Sequence, residues 1–274
     1  MEDCVKRKVA IVTGAGRGIG KDISLTLAEA GTDITIVDLA TKQIEQTAED
    51  IRKLGRKALA ITVDVSQQDQ VRRSVEQTIS EFGKIDILVN NAGIFIFKPV
   101  AFIPGARLPG WEAAGDNWDK PQTLEDWHRV IDTNLTSAFL FAQAVGPHMM
   151  KQKKGKIVNI SSTAAEQGAS YKSAYCVSKA GLSALTRCLA SEWGPFNINV
   201  NAIAPGMVNT DMTAARLRDP KSRETILGKI PLGRLAEPRE VALLVLFLAS
   251  EDSDYLTGQI FTIDGGAAGQ GPGI

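Results

Sequence analysis

Apolar and polar positions along the chain follow two rhythms. Short runs rich in Val and Ile recur at 8–13, 33–38, 57–63, 85–90, 156–161, 197–203 and 259–263, and each reads as a strand. Between them, apolar residues fall three or four apart at 18–30, 41–54, 66–82, 124–153, 172–192 and 238–249, which reads as helix. The 124–153 helix is expected in one piece, curved near Pro147. The run Ile85-Asp86-Ile87-Leu88-Val89 is almost continuously apolar, as a strand covered on both faces requires. Strand–helix units repeated from end to end predict an α/β fold, doubly wound, with a mostly or wholly parallel central sheet. One domain over 1–274 is expected, with a short tail at 267–274. The rhythm breaks at 95–123, a stretch rich in Pro, Gly and Trp. Loops of that length inside a domain are usually functional or disordered.

Composition narrows the partners. Of 274 residues, 44% are hydrophobic and 23% charged, as in ordinary globular proteins. Lys plus Arg and Asp plus Glu both number 31, so net charge gives no pull toward nucleic acid or an anionic membrane. Two histidines and three cysteines, with no Cys-x-x-Cys, give no reason to expect a metal site or a disulfide framework. Cys176 and Cys188 read as small buried apolar residues. The most apolar run, 241–249, is about half the ~20 residues of a membrane span. Met1-Glu2-Asp3-Cys4 lacks the apolar core of a signal peptide, and a cytoplasmic protein is expected.

The first strand runs into Thr13-Gly14-Ala15-Gly16-Arg17-Gly18-Ile19-Gly20, and a helix follows at once. Glycines let the backbone approach a pyrophosphate, and the helix start offers free N–H groups and a positive dipole end. The spacing is T-G-x-x-x-G-x-G; G-x-G-x-x-G does not fit from Gly14, because Ile19 falls on its last position. Asp38 ends the second strand, 18 residues after Gly20, where a carboxylate meets the ribose hydroxyls of NAD. The plainer alternative is a helix N-cap. This strand–loop–helix–strand order makes the fold Rossmann-type.

Tyr175 and Lys179 lie four apart and share one face of a helix. Alone, such a pair is an ordinary solvated surface. Chemistry gives it meaning: an acid–base catalyst works best near neutral pH, whereas tyrosine titrates near 10. Moving it about three units takes roughly 4 kcal/mol of differential stabilisation of the phenolate. An adjacent ammonium and the positive ring of an oxidised nicotinamide would supply it.

Thr13-Gly14-x-x-x-Gly18-Ile19-Gly20, Asn90-Asn91-Ala92-Gly93, Asn134, Ser162, Tyr175-x-x-x-Lys179 and Pro205-Gly206 stand in one order. Over about 8–266 the chain resembles the classical short-chain dehydrogenase/reductase family. The resemblance implies residue roles. Tyr175 is the expected acid/base, and Lys179 lowers its pKa and holds the nicotinamide ribose. Ser162 binds the substrate oxygen in preference to Ser161. Asn134 holds a water in a proton relay. Asp64-Val65 flank the adenine, and Asn91-Ala92-Gly93 line the adenosine side. Val208 and Thr210, after Pro205-Gly206, fix the carboxamide. Gly14, Arg17, Gly18, Ile19, Gly20 and Asp38 complete the cofactor set. Asn90 reads as structural, and Tyr171, with tyrosine rather than lysine four on, as a decoy.

The implied reaction interconverts a secondary alcohol and a ketone without metal, with NAD preferred over NADP. Asp38 opposes a 2′-phosphate and no basic residue directly follows it, although Arg17 in the glycine loop is a complication. Phe95, Ala164 and Met207, with Ser162, are the expected substrate contacts, and 95–123 the expected substrate-determining element. The resemblance also implies a homotetramer. One rival is a catalytically silent dinucleotide-binding sensor or scaffold on the same fold. The other is an extended-branch epimerase or dehydratase, whose first loop resembles G-x-x-G-x-x-G.

Overall fold

The computed structural model describes residues 5–104, 120–217 and 219–269. Its elements run β1 (Val9–Thr13), α1 (Gly18–Glu29), β2 (Asp33–Asp38), α2 (Thr41–Lys53), β3 (Ala58–Thr62), α3 (Gln68–Phe82) and β4 (Ile87–Asn90). There follow α4 (Leu124–Ile131), α5 (Ser137–Gln152), β5 (Gly155–Ile160), α6 (Ala164–Gln167), α7 (Ser173–Trp193) and β6 (Ile198–Pro205). The last are α8 (Asp211–Leu217), α9 (Pro220–Leu227), α10 (Pro238–Ala249) and β7 (Ile260–Ile263).

The seven strands form one sheet in the order β3-β2-β1-β4-β5-β6-β7, every pairing parallel. Successive strand residues point to opposite faces. Ala10 and Val12 of β1 thus join α1, α2 and α10 in one core. Ile11 joins α3, α5 and α7 in the other. This is a doubly wound Rossmann-type fold. The strand order reverses between β1 and β4, and in such sheets ligands bind in the crevice beyond the strands' C-terminal ends at that point.

The expected 124–153 helix is broken. A π turn at Asp132–Thr136 separates α4 from α5. Asn134 is drawn inward there: its Oδ1 accepts from Ile94 N–H at 2.8 Å, and its Nδ2 donates to Ile94 O and Ser178 Oγ. The Ser137 hydroxyl donates to Thr133 O across the widened turn. Helices α8 and α9 were not expected from apolar spacing. Asp219 caps α9 through Ser222 N–H at 2.7 Å, and Pro220 opens it. Within the expected tail, residues 267–269 form a short turn, where Asp264 accepts from Gly266 and Ala268 N–H; 270–274 lie outside the described residues. Cys188 is exposed and Cys176 half-buried, so neither is the buried apolar filler expected. Among the described residues no helix is long and apolar enough to cross a membrane.

Candidate active site

Thr13 and Asn91 build the glycine loop. The Thr13 hydroxyl accepts from Asn91 and Ala92 N–H, both at 3.0 Å. Asn91 Nδ2 donates to the carbonyls of Thr13 and Gly14 at 2.9 and 3.1 Å. The Asn91 amide is therefore a brace for the loop rather than an adenosine contact alone. Gly14 has φ 64°, and a side chain on it would press on the Ala92 backbone at 2.8 Å. A side chain on Gly20 would collide with the Gly14 carbonyl oxygen. Glycine is what lets β1, the loop and α1 meet this closely. At the start of α1, Arg17 provides no side-chain cap and the first turn holds no acid. Its N–H groups and dipole therefore remain available to an anion.

Asp38 does not cap α2. Its carboxylate accepts from Gly16 N–H at 3.0 Å and Ala40 N–H at 3.2 Å, which places it at the loop. Arg17 pairs with Asp211 at 3.6 Å, both side chains largely exposed. Asp64 accepts from the N–H and hydroxyl of Ser66, and Val65 beside it is buried. Ile19 packs against the core. Beyond β6, Gly206 N–H donates to Ile263 O and Val208 bridges Ala236. The Thr210 methyl lies 3.5 Å from where a Gly18 side chain would begin. The glycine loop and the Pro205–Thr210 stretch thus meet across one crevice.

Tyr175 and Lys179 project from α7. Lys179 is buried, and its Nζ donates to Ile160 O at 2.6 Å. It lies 5.9 Å from the Tyr175 ring centroid and 3.4 Å from where a Gly93 side chain would begin. Burial lowers its pKa from 10.5 to about 8. Burial also raises the Tyr175 pKa, opposed by a hydrogen bond from Ser162. In the free chain, then, desolvation sets the direction, opposite to the lowering that the resemblance implies. The Ser162 hydroxyl also accepts from Ala164 N–H at 3.2 Å. Ser161 points elsewhere, to Lys179 O and Ser183 Oγ. Asn90 is a sheet brace, donating to Asn159 Oδ1 at 2.8 Å. Phe95 stands edge-on to Tyr175, centroids 6.4 Å apart. The Met207 carbonyl accepts from Ala236 N–H at 3.1 Å.

Sequence reasoning missed Thr13 as loop builder and Ser178. The latter is buried and donates to Tyr175 O at 2.7 Å while accepting from Asn134. Thr13 was legible as the fixed first letter of the loop motif; Ser178 carried no signal. Trp111, Trp118, Arg107, Glu112, Asp116 and Pro109 lie outside the described residues. No group of three or more His, Cys, Asp or Glu among the described residues forms a metal cage.

Residues 14–268 match the family model described as enoyl-(acyl carrier protein) reductase. The chain belongs to the short-chain dehydrogenase/reductase family. It is 39% identical over 259 residues to the 3-oxoacyl-(acyl carrier protein) reductase FabG of Thermotoga maritima, covering 94% of this chain and 97% of that one. It is 37% identical over 260 residues to the 2-dehydro-3-deoxy-D-gluconate 5-dehydrogenase of Escherichia coli, covering 94% of each. A solved structure from Beutenbergia cavernae, described as an NAD(P)-dependent gluconate 5-dehydrogenase with NADP at low occupancy, superposes with TM-score 0.86. It is 32% identical and covers 97% of this chain and 98% of that one. This short-chain dehydrogenase/reductase is therefore an oxidoreductase that uses a nicotinamide dinucleotide.

Proposed function

We propose that this chain is an NAD-preferring oxidoreductase that interconverts a small secondary alcohol and its ketone, with Tyr175 as general acid/base. The observation that carries the reading is the buried Lys179 ammonium beside Tyr175. Holding a lysine at a pKa of about 8 rather than 10.5 costs about 3 kcal/mol at neutral pH. A dinucleotide-binding sensor could use Lys179 to hold a ribose, but it has no need of Asn134, Ser162 and Tyr175 gathered round it. An acid/base site needs them.

The residues present fit a dinucleotide. The close-packed glycine loop and the uncapped α1 start suit the pyrophosphate, Asp38 the adenosine ribose, and Lys179 the nicotinamide ribose. Asp64, Val65, Asn91, Ala92, Gly93, Pro205, Gly206, Val208 and Thr210 complete that set. Bound nicotinamide supplies the hydride acceptor in oxidation and the hydride donor in reduction. Tyr175 Oη removes the hydroxyl proton of the alcohol, or returns one to the developing alkoxide of the ketone. Ser162 Oγ hydrogen-bonds the same substrate oxygen and orients it. Asn134 and Lys179 connect the phenol to solvent through the proton relay. Because burial favours the protonated phenol, the free chain is already in the proton-donating form used for reduction.

NAD is favoured because the Asp38 carboxylate lies at the loop, where like charge repels a 2′-phosphate. Arg17, which would attract that phosphate, faces Asp211. One relative is named for a 3-oxoacyl group and another for carbon 5 of a deoxygluconate; both suit Tyr175 chemistry at an oxygen-bearing carbon. A homotetramer in the cytoplasm is the expected assembly and place. The decisive test follows NAD reduction over a panel of secondary alcohols, hydroxyacyl esters and sugar acids, for the natural chain and Tyr175→Phe. Most of the turnover retained in Tyr175→Phe, with the fold and NAD binding intact, refutes the assignment.

A further inference from the structure

The stretch after β4 is laced to the turn before α7. The Phe97 ring stacks on Tyr171, centroids 5.2 Å apart and planes at 24°. Lys98 N–H donates to Tyr171 O at 2.9 Å, and Lys98 Nζ reaches Asp126 of α4 at 2.6 Å in a largely buried ion pair. Gln122 closes the ring of contacts. Its N–H donates to Pro99 O at 2.7 Å, and its Oε1 accepts from Ser173 Oγ at 2.8 Å. The two ends of the 100–121 stretch are thereby clasped to the first residue of α7, two residues before Tyr175.

Tyr171 has a backbone that glycine or asparagine adopts more readily. It has φ 65° in a turn closed by Lys172 N–H to Ala169 O at 3.2 Å. That conformation is strained for an L-residue with a bulky side chain. What tyrosine adds at this position is its ring, and the ring is engaged by Phe97. Phe95 and Phe97 both face this segment: Phe95 meets Tyr175, and Phe97 meets Tyr171. Two aromatic pairs thus stand at positions four residues apart, one on Tyr175 and one on Tyr171.

We propose that Tyr171, stacked on Phe97 and fixed by the Gln122 clasp, is a specificity-determining residue that limits the size of the group next to the substrate's reacting carbon. The proposal rests on Tyr175 being the acid/base, because it places that carbon at Tyr175 Oη. The contacts described for Tyr171 run to Phe97 and Lys98 rather than to the glycine loop or Asp38, so the effect is expected on substrate and not on the cofactor.

The test compares the natural chain, Tyr171→Asn, Tyr171→Phe and Gln122→Ala. Asparagine tolerates the same backbone and lacks the ring; phenylalanine keeps the ring. The probes are 2-propanol, 2-butanol, 2-octanol, cyclohexanol and gluconate with NAD, with kcat and KM resolved separately and NAD affinity read by tryptophan quenching. Tyr171→Asn is expected to shift the kcat/KM ratio of large to small alcohols by about tenfold, mainly through KM, which is the scale of pocket discrimination. Tyr171→Phe restores the natural ratio, Gln122→Ala shifts it in the direction of Tyr171→Asn, and NAD affinity holds within about twofold. An unchanged ratio in Tyr171→Asn, an equal shift in Tyr171→Phe, or a uniform loss on every substrate together with NAD affinity overturns it. No turnover by the natural chain, or full turnover by Tyr175→Phe, fails the underlying acid/base reading and this proposal with it. Normal behaviour of both, with an unmoved Tyr171→Asn ratio, fails this proposal alone.

Discussion

Lys179→Met removes a buried charge while keeping most of the side-chain volume. The pKa of Lys179 is about 8 in the folded chain and 10.5 when exposed. Between those values the unfolded chain binds more protons than the folded one, so stability rises with pH across that window. Below about pH 8 the penalty is fully present, close to 3 kcal/mol, and it fades as pH approaches 10.5. Integrating from pH 7 to 9.5 gives about 2 kcal/mol gained by the natural chain and not by Lys179→Met. The variant also strips Ile160 O of a 2.6 Å donor, but that loss does not depend on pH. The burial-depressed Lys8 and Lys156 are present in both proteins and cancel in the comparison. Urea or thermal melts of cofactor-free protein at pH 7, 8 and 9.5 measure the double difference. At about 2–4 °C per kcal/mol for a domain of this size, the gap between the two melting temperatures changes by about 4–8 °C. Parallel pH curves would refute the claim that Lys179 carries the penalty.

Tyr175→Phe is expected to lower kcat by about 10²–10⁴ while leaving NAD affinity within about twofold, checked by steady-state kinetics and a binding titration. Asp38→Asn should reduce the NAD over NADP ratio of kcat/KM by about tenfold, because it removes the carboxylate from the loop; an unmoved ratio counts against the ribose assignment. Gly20→Ala should cost about 1–3 kcal/mol of stability and weaken NAD binding, since the new methyl runs into the Gly14 carbonyl oxygen. Light scattering should give a mass near four times 29.4 kDa; a value at 29.4 kDa excludes the tetramer.

The parallel sheet was legible because each strand is a short apolar run and each crossover helix shows its own period. Asp38 at the loop was legible from one spacing, and Tyr175 with Lys179 from another. The π turn was not, because Asp132-Thr133-Asn134-Leu135-Thr136 has no composition that separates it from α-helix. Its cause is tertiary: Asn134 bonds Ile94 and Ser178, residues 40 and 44 positions away. Tyr171 was dismissed because only its spacing to lysine was considered. Its positive φ and its stack with Phe97 arise from the way the chain after β4 returns over α7. The raised Tyr175 pKa was missed for a related reason: spacing reports which residue is a neighbour, and only the packed structure reports the desolvation that raises it.

The π turn also acts as a phase shifter between two halves of what is otherwise one rod. Each residue of an α-helix turns the next by about 100°, so one surplus residue re-aims everything before it relative to everything after it. Downstream, Leu140, Phe141 and Val145 remain locked into the core that Ile11 joins. Upstream, Asp126 is brought round to Lys98 and the Thr123 capping box to the clasp. Deleting one residue within 132–136 would be expected to restore a regular helix, swing α4 away from Lys98 and withdraw Asn134 from Ile94 and Ser178. One stem thereby serves two partners: its rear half packs under the sheet, and its front half holds the stretch after β4 through Lys98.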